Sequence, residues 1–186
     1  MKLIYRIDNA IDATICETLS VFLINAKRGK INKFGNKILP WSDNDTISWN
    51  RIEDLEIKNI ISNIKIQITD IVSQHYGVEV FPNFTDLVLW RSGRYMGFHK
   101  DNGYTDDDGL HVRKFSTVLY LNDNFTGGET VIVNEDGSNY ISHPKIGSLL
   151  MFVSDDRCIH KVNKIISGSR TTLATWFAID KTYEEC

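Results

Sequence analysis

The sequence predicts a mainly β chain with N-terminal helices, an α+β domain whose strand-rich part closes as an antiparallel sandwich or jelly roll. Two long stretches of helical periodicity occupy the first 77 residues and then stop. After Gly77 the pattern changes to many short runs rich in β-branched and aromatic residues. The runs are separated by the turn clusters NDNFTGG, NEDGS, HPKIG and ISGS. Strands this numerous and this short suit a sandwich or jelly roll rather than a parallel sheet. A chain of 186 residues fits one domain and buries roughly 70% of its unfolded surface. No repeat, low-complexity segment or linker divides it, so residues 1–77 are expected to be a helical support region sharing one core with a β part over 78–180.

The first helix is predicted over Asp8 to Lys27, where Ile11, Ile15, Leu19, Phe22 and Leu23 recur every three or four residues, with Asp8 or Asp12 as the cap. Gly29 is expected to end it. From Lys27 to Ser48 the chain reads as a loop anchored by Phe34, Leu39 and Trp41, and its cations Lys27, Arg28, Lys30, Lys33 and Lys37 suit a solvated surface. One long or two consecutive helices follow over Asn50 to His75, carrying Ile52, Leu55, Ile60, Ile64, Ile68, Ile71 and Val72, and Gly77 closes them. Strands are predicted at Val78–Phe81, Asp86–Trp90, Tyr95–His99, Lys114–Leu121, Glu129–Val133, Tyr140–Ser142, Ser148–Val153, Ile159–Val162 and Arg170–Ile179.

Composition excludes several classes of function. The formal net charge of −3 argues against duplex nucleic acid as the main partner, because such proteins carry a basic excess. No run approaches the roughly 18 apolar residues of a membrane span. Cys16, Cys158 and Cys186 are few and scattered, and the N-terminal MKLIYRIDNA lacks a secretory pattern, so a reduced, cytosolic chain is expected.

Chemistry enters with WRSGRYMGFHKD, Trp90 to Asp101. On an extended strand His99 and Asp101 point the same way while Lys100 points the other. His160, in the strand-like RCIHKV, is the best third ligand. Two imidazoles and a carboxylate on one face of an octahedral ion form the facial triad of non-haem Fe(II) oxygenases and leave three positions open. A competing set replaces Asp101 with Cys158, two residues before His160, since a thiolate beside two imidazoles favours zinc and hydrolysis. That set leaves Asp101 and Arg170 without a role. His75, at a helix end, and His111 and His143, beside Gly or Pro, read as surface groups, with His111 near enough in sequence to touch substrate.

The order of motifs is more specific than any one of them. After His-x-Asp come RKFSTVLYLNDNFTGGETVIV, from Arg113 to Val133, and CIHKVNKIISGSRTTLATWF, from Cys158 to Phe177. Over about residues 78 to 180 the chain resembles the 2-oxoglutarate- and Fe(II)-dependent dioxygenases, in their prolyl 4-hydroxylase-like branch. The resemblance implies a double-stranded β-helix, the jelly roll of that family. It implies that His99, Asp101 and His160 bind Fe(II), and that Arg170, ten residues after His160, pairs with the distal carboxylate of 2-oxoglutarate, a role its planar fork suits. It matches Tyr120 to a hydroxyl that assists that carboxylate, Thr130 to the wall of the cosubstrate pocket, and Trp176 to a Trp near the site. Trp90 stands where much of the family has Tyr, a departure that bears on the substrate more than on the chemistry.

The implied reaction consumes O2 and 2-oxoglutarate, with ascorbate as an accessory, and hydroxylates a prolyl or other side chain of a peptide or protein. Alternatives are a free amino acid, another small molecule or an alkylated base as substrate, a zinc hydrolase, and a non-catalytic jelly roll. Gly127 and Gly128 suit a turn. The acidic run NGYTDDDGL, Asn102 to Leu110, is read either as a lid over the site or as an exposed loop.

Overall fold

The computed structural model describes residues 2–26, 45–103, 109–134 and 136–185. The expected cationic loop and its anchors Phe34, Leu39 and Trp41, with Gly29, Cys186 and most of the expected lid, lie outside these residues.

Helix α1 covers Ala13–Asn25, and the Asp12 carboxylate caps it by accepting from the backbone N–H groups of Thr14 and Ile15. The helix starts later than predicted because the cap is Asp12 and not Asp8, and it ends at Asn25. Helix α2 covers Leu55–Tyr76 as one element, capped by Asp54 and closed by Gly77 at φ 69°, a left-handed conformation that costs Gly little. Its buried stripe, Ile57, Ile61, Ile64, Ile68, Val72 and Tyr76, follows the helical period. Each such Ile or Val contributes about 1.5–3 kcal/mol of burial.

Strands β1 (Ile4–Ile7), β9 (Leu149–Val153), β5 (Phe115–Tyr120), β12 (Ser169–Ala178), β3 (Phe81–Arg91) and β2 (Asp45–Ser48) form a six-stranded antiparallel sheet in that order. Facing it, β4 (Met96–His99), β10 (His160–Val162), β7 (Thr130–Val133) and β8 (Asn139–Ser142) form a four-stranded sheet. A short ribbon pairs β6 (Thr126–Gly127) with β11 (Ile165–Ser167). The result is the two-sheet jelly roll expected, with both helices on the outer face of the larger sheet. There Cys16, Leu19 and Leu23 of α1 join Leu87, Leu89 and Leu173 in the main core, and Thr171 donates to Ser20 of α1 at 2.8 Å.

Residues 1–77 are not purely helical, because β1 and β2 belong to the larger sheet; β1 pairs residue for residue with β9, from Ile4↔Phe152 to Ile7↔Leu149. The short strand expected at Val78–Phe81 does not form; residues 78–80 are irregular, and Phe81 opens the long β3, which takes in the strand expected at Asp86–Trp90.

Alternation along β12 separates two environments. Thr171, Leu173 and Thr175 face the helices, while Arg170, Thr172, Ala174 and Trp176 face the smaller sheet. Both faces are covered, so the strand is buried at almost every position. The chain's far end is tied down by a buried ion pair: Lys65 of α2 meets Glu185 at 2.7 Å, and its ammonium lies 3.5 Å from the centroid of the Trp49 ring.

Candidate active site

The larger sheet's inner face and the smaller sheet bring the predicted residues together. His99 ends β4, His160 begins β10, and the two are paired across the ladder with ring centroids 4.1 Å apart. Asp101 lies just past the end of β4, in a turn fixed by its own N–H and that of Asn102, both donated to the Ser154 carbonyl at 3.0 Å. The turn swings the carboxylate between the rings. Oδ1 lies 3.5 Å from His99 Nε2 and Oδ2 lies 3.6 Å from His160 Nε2. One ligand atom from each of the three residues falls within 4.8 Å of the others, the one such cluster among the described residues.

Backbone carbonyls orient both imidazoles. His99 Nδ1 is 2.9 Å from the Gly97 carbonyl and His160 Nδ1 is 3.1 Å from the Cys158 carbonyl. A proton held on each Nδ1 leaves the Nε2 lone pairs free to face a metal. Burial lowers His160 to about 4, with Asp101 opposing the shift and the neighbouring His99 adding to it. Burial would raise Asp101, but His160 and His99, helped by a hydrogen bond from Ser116, hold it well below the usual carboxylate range. Burial would lower His99, and its bond to Asp101 outweighs that and raises it. An ionised carboxylate between two imidazoles is the donor set of a divalent iron site. Cys158 lies outside this set: it sits in the main core at the end of a short 3-10 turn and contributes its carbonyl to His160. The zinc arrangement built on its thiolate is therefore not the one the fold assembles.

Arg170 is 2% exposed, and among the described residues no carboxylate pairs with it. Its Nη2 donates to Thr130 Oγ1 at 3.2 Å, its Nε has no acceptor, and the guanidinium lies 5.3 Å from the centre of the Tyr120 ring. A buried, uncompensated guanidinium is costly, and a bound carboxylate is what removes the cost. Tyr120, fully buried, donates to Thr130 Oγ1 at 2.9 Å. Thr130 and Ile132 are two residues apart on β7, and Ile132 stands across from His160. The hydroxyl is thus displaced from the metal ligands by about 7 Å along the strand, a span suited to a short dicarboxylic acid.

Gly128 (φ +71) packs against the stem of the Arg170 side chain. A β-carbon there would collide with Ile165 and come within 3.1 Å of Arg170 Cδ, so close approach matters at this turn as well as backbone freedom. Trp90, opposite Arg170 across β3 and β12, is 3% exposed in an apolar cluster with Val88, Val162, Ile165 and Ala174.

Trp176 stands on the same face of β12 as Arg170, six residues on. Sequence reasoning placed it near the site but missed its partner: the Arg113 guanidinium lies 4.3 Å from its ring centroid, and Arg113 Nη1 is 3.5 Å from the Asp101 carbonyl. The signal was an Arg at the mouth of the strand that carries Tyr120. Ser116 was also missed; it hydrogen-bonds Ser154 at 2.7 Å beneath the triad. His143 and His111 are both exposed, His111 in a turn 6.5 Å from the Tyr183 ring, and neither joins the metal cluster.

Asp86 lies on the same inner face, 2% exposed, with no donor to its Oδ1, and Trp176 Nε1 is likewise buried and unbonded. Burial pushes the Asp86 carboxyl up to about 6, against the opposing pull of Ser48 and Arg113. A carboxyl whose pKa is raised on folding adds stability below its unfolded value of 3.8 and loses it as pH rises through about 6. Urea unfolding of Asp86→Asn should therefore show it gaining roughly 2–3 kcal/mol on the parent between pH 4 and pH 7.5. A difference independent of pH would show that Asp86 is ionised throughout.

The sequence profile of the 2OG-Fe(II) oxygenase superfamily matches residues 87–178. Human prolyl 3-hydroxylase 2 is 35% identical over 75 residues, which are 39% of this chain and 11% of that protein. Chicken prolyl 3-hydroxylase 1 is 31% identical over a stretch of the same length. The chain thus spans about a tenth of these curated relatives. Among solved structures, a Pseudomonas putida prolyl-4-hydroxylase superposes with a TM-score of 0.72 at 19% identity, covering 95% of this chain and 92% of that one. A Trichoplax adhaerens prolyl hydroxylase, solved with a hypoxia inducible factor peptide fragment, gives 0.78 at 16% identity over 97% and 85%.

Proposed function

Since the chain belongs to the 2OG-Fe(II) oxygenase superfamily through residues 87–178, we propose that it hydroxylates a C–H bond on a prolyl or other side chain of a peptide or protein. The observation that carries this reading is the convergence of His99, Asp101 and His160 beside a buried Arg170 that has no carboxylate of its own. In this reading the three ligands hold Fe(II), and Arg170 with Tyr120 and Thr130 holds the distal carboxylate of 2-oxoglutarate. When bound, iron and cosubstrate supply the oxidising chemistry, in which O2 is consumed, 2-oxoglutarate becomes succinate and CO2, and one oxygen atom enters the substrate C–H bond.

The protein's own work is positional. The two imidazoles and the carboxylate occupy one face of the ion, leaving room for cosubstrate and oxygen. Arg170 fixes the far end of the cosubstrate through a planar fork. Trp176 and Arg113 form the wall beside Asp101 where a substrate side chain would lie, and the buried Asp86 acceptor and Trp176 donor suit the N–H and C=O groups of a peptide. Relatives described as prolyl hydroxylases support the prolyl choice. Ascorbate is proposed as the reductant that keeps the iron ferrous. A reduced, cytosolic setting is proposed because the buried Cys16 and Cys158 form no disulfide.

The test is a screen of proline-containing peptides, free amino acids and metabolites against iron-loaded protein. Readouts are succinate formation and gain of one oxygen atom by mass spectrometry. Stimulation by peptides, with the oxygen on a side chain, is the expected result. Stimulation by free metabolites alone would move the substrate class, and no succinate under any condition would remove the enzymatic reading.

A further inference from the structure

A chain of hydroxyls runs from the buried Arg170 to a second guanidinium on β1, an edge strand of the larger sheet. Arg170 Nη2 donates to Thr130 Oγ1 at 3.2 Å, and the Tyr120 hydroxyl lies 2.9 Å from Thr130 Oγ1 and 3.2 Å from Ser142 Oγ. Ser142 Oγ in turn accepts from Arg6 Nη1 at 2.9 Å. Arg6 belongs to β1, outside the segment that matches the superfamily profile. It is held on several sides: Nη1 also donates to the His143 carbonyl, Nη2 donates to Ser148 Oγ at 3.3 Å, and Nε donates to Asp8 at 3.0 Å. Lys145 steadies Asp8 at 2.9 Å.

A guanidinium has only donors, whereas a hydroxyl carries one proton and can accept. Both ends of the chain are therefore fixed. Ser142 Oγ must accept from Arg6, and Thr130 Oγ1 must accept from Arg170. Ser142 can then give its proton to the Tyr120 oxygen, which leaves the Tyr120 proton directed toward Thr130 and the space beside Arg170. Two gaps lie between three hydroxyls, so one proton remains for an acceptor outside the chain. Without Arg6, Ser142 Oγ loses the donor that holds it as an acceptor, and the Tyr120 hydroxyl is freer to turn to Ser142 Oγ or to the Ser142 carbonyl, 3.4 Å away.

We infer that Arg6 is a positioning residue for the cosubstrate. Acting through Ser142 and Tyr120, it leaves the Thr130 hydroxyl proton to point at a carboxylate bound on Arg170. This rests on the oxygenase reading of the site and adds to it a dependence on the N-terminal strand. Arg6 itself touches no cosubstrate atom, and its effect reaches the site only through hydroxyl direction.

Calorimetric titration of 2-oxoglutarate into Mn(II)-loaded protein measures this without turnover, and succinate formation by the iron enzyme gives KM and kcat separately. Arg6→Met should weaken 2-oxoglutarate binding about tenfold, the loss of one well-aimed bond to a charged acceptor. It should raise KM equally and leave kcat at saturating 2-oxoglutarate within about twofold. Ser142→Ala, which keeps Arg6 and breaks the chain, should match it, and the double variant should be no worse than either. Arg6→Lys should recover part of the loss, because a lysine replaces the fork with a single ammonium. Multiplying effects in the double variant, or an unchanged dissociation constant in Ser142→Ala, would overturn the inference. Arg170→Met separates the two levels. If it weakens binding while Arg6→Met and Ser142→Ala do not, the role of Arg6 fails alone; if the parent protein binds no 2-oxoglutarate, the oxygenase reading fails with it.

Discussion

His160→Ala and Asp101→Ala are each expected to abolish Fe(II)-dependent succinate formation. Outer-shell partners of metal ligands alone cost 10- to 100-fold, so removing a ligand should cost more than about a hundredfold. The geometry explains why neither loss is made good locally. The ligand atoms lie within 4.8 Å of one another, and no fourth His, Cys, Asp or Glu joins the cluster among the described residues. The two variants should differ in stability. Asp101 has a pKa lowered on folding, so its carboxylate adds stability above its unfolded value of 3.8 and loses it in acid. Asp101→Ala should therefore melt lower than the parent at neutral pH without metal. His160→Ala opens a space beside Phe152, whose ring centroid lies 4.6 Å from that of His160, and leaves Asp101 facing His99. Metal titration by calorimetry, run beside thermal unfolding, separates lost ligation from lost fold. Parent-level turnover by either folded variant would remove the triad assignment.

The metal cluster was legible because its signal is local in part: His-x-Asp occupies three consecutive positions, and the strand period alone puts both side chains on one side. In the structure β4 ends at His99, and Asp101 reaches the same place from a turn held by Ser154, so the reason differs from the strand argument though the convergence does not. Arg170, Tyr120 and Thr130 were reached through motif order. What their sequence could not convey is that Arg170 lacks a carboxylate partner, which is a fact about packing. The helices were clear because apolar residues at three- and four-residue spacing mark a buried stripe. β1 was not, since its stability comes from pairing with β9, across the ladder Ile4↔Phe152. Arg6 was invisible for the same reason, its hydroxyl partners Ser142 and Ser148 lying 136 and 142 positions away. Arg113 left a trace, a cation opening the RKFSTVLYLN strand, but its stacking on Trp176 depends on the β5–β12 register, which aligns Ser116 with Trp176.

Arg170→Met should raise the 2-oxoglutarate dissociation constant and KM by about two to three orders of magnitude, because losing one partner of a buried ion pair costs about 3–5 kcal/mol. Arg170→Lys should recover only part of this, as an ammonium meets one carboxylate oxygen where the fork meets two. A general packing defect would lower both affinity and stability, and here the two readouts should part. In the protein without cosubstrate, Arg170 is a buried cation whose Nε lacks an acceptor, with burial already lowering its pKa. Methionine is close in length and needs no hydrogen bonds, so it removes that cost. Arg170→Met should therefore melt at or above the parent temperature when 2-oxoglutarate is absent. Adding the cosubstrate reverses the order, because ligand that binds only the folded parent raises its stability by mass action. A variant that melts well below the parent in both conditions would mark Arg170 as a structural cation. An unchanged dissociation constant would assign the distal carboxylate to another side chain.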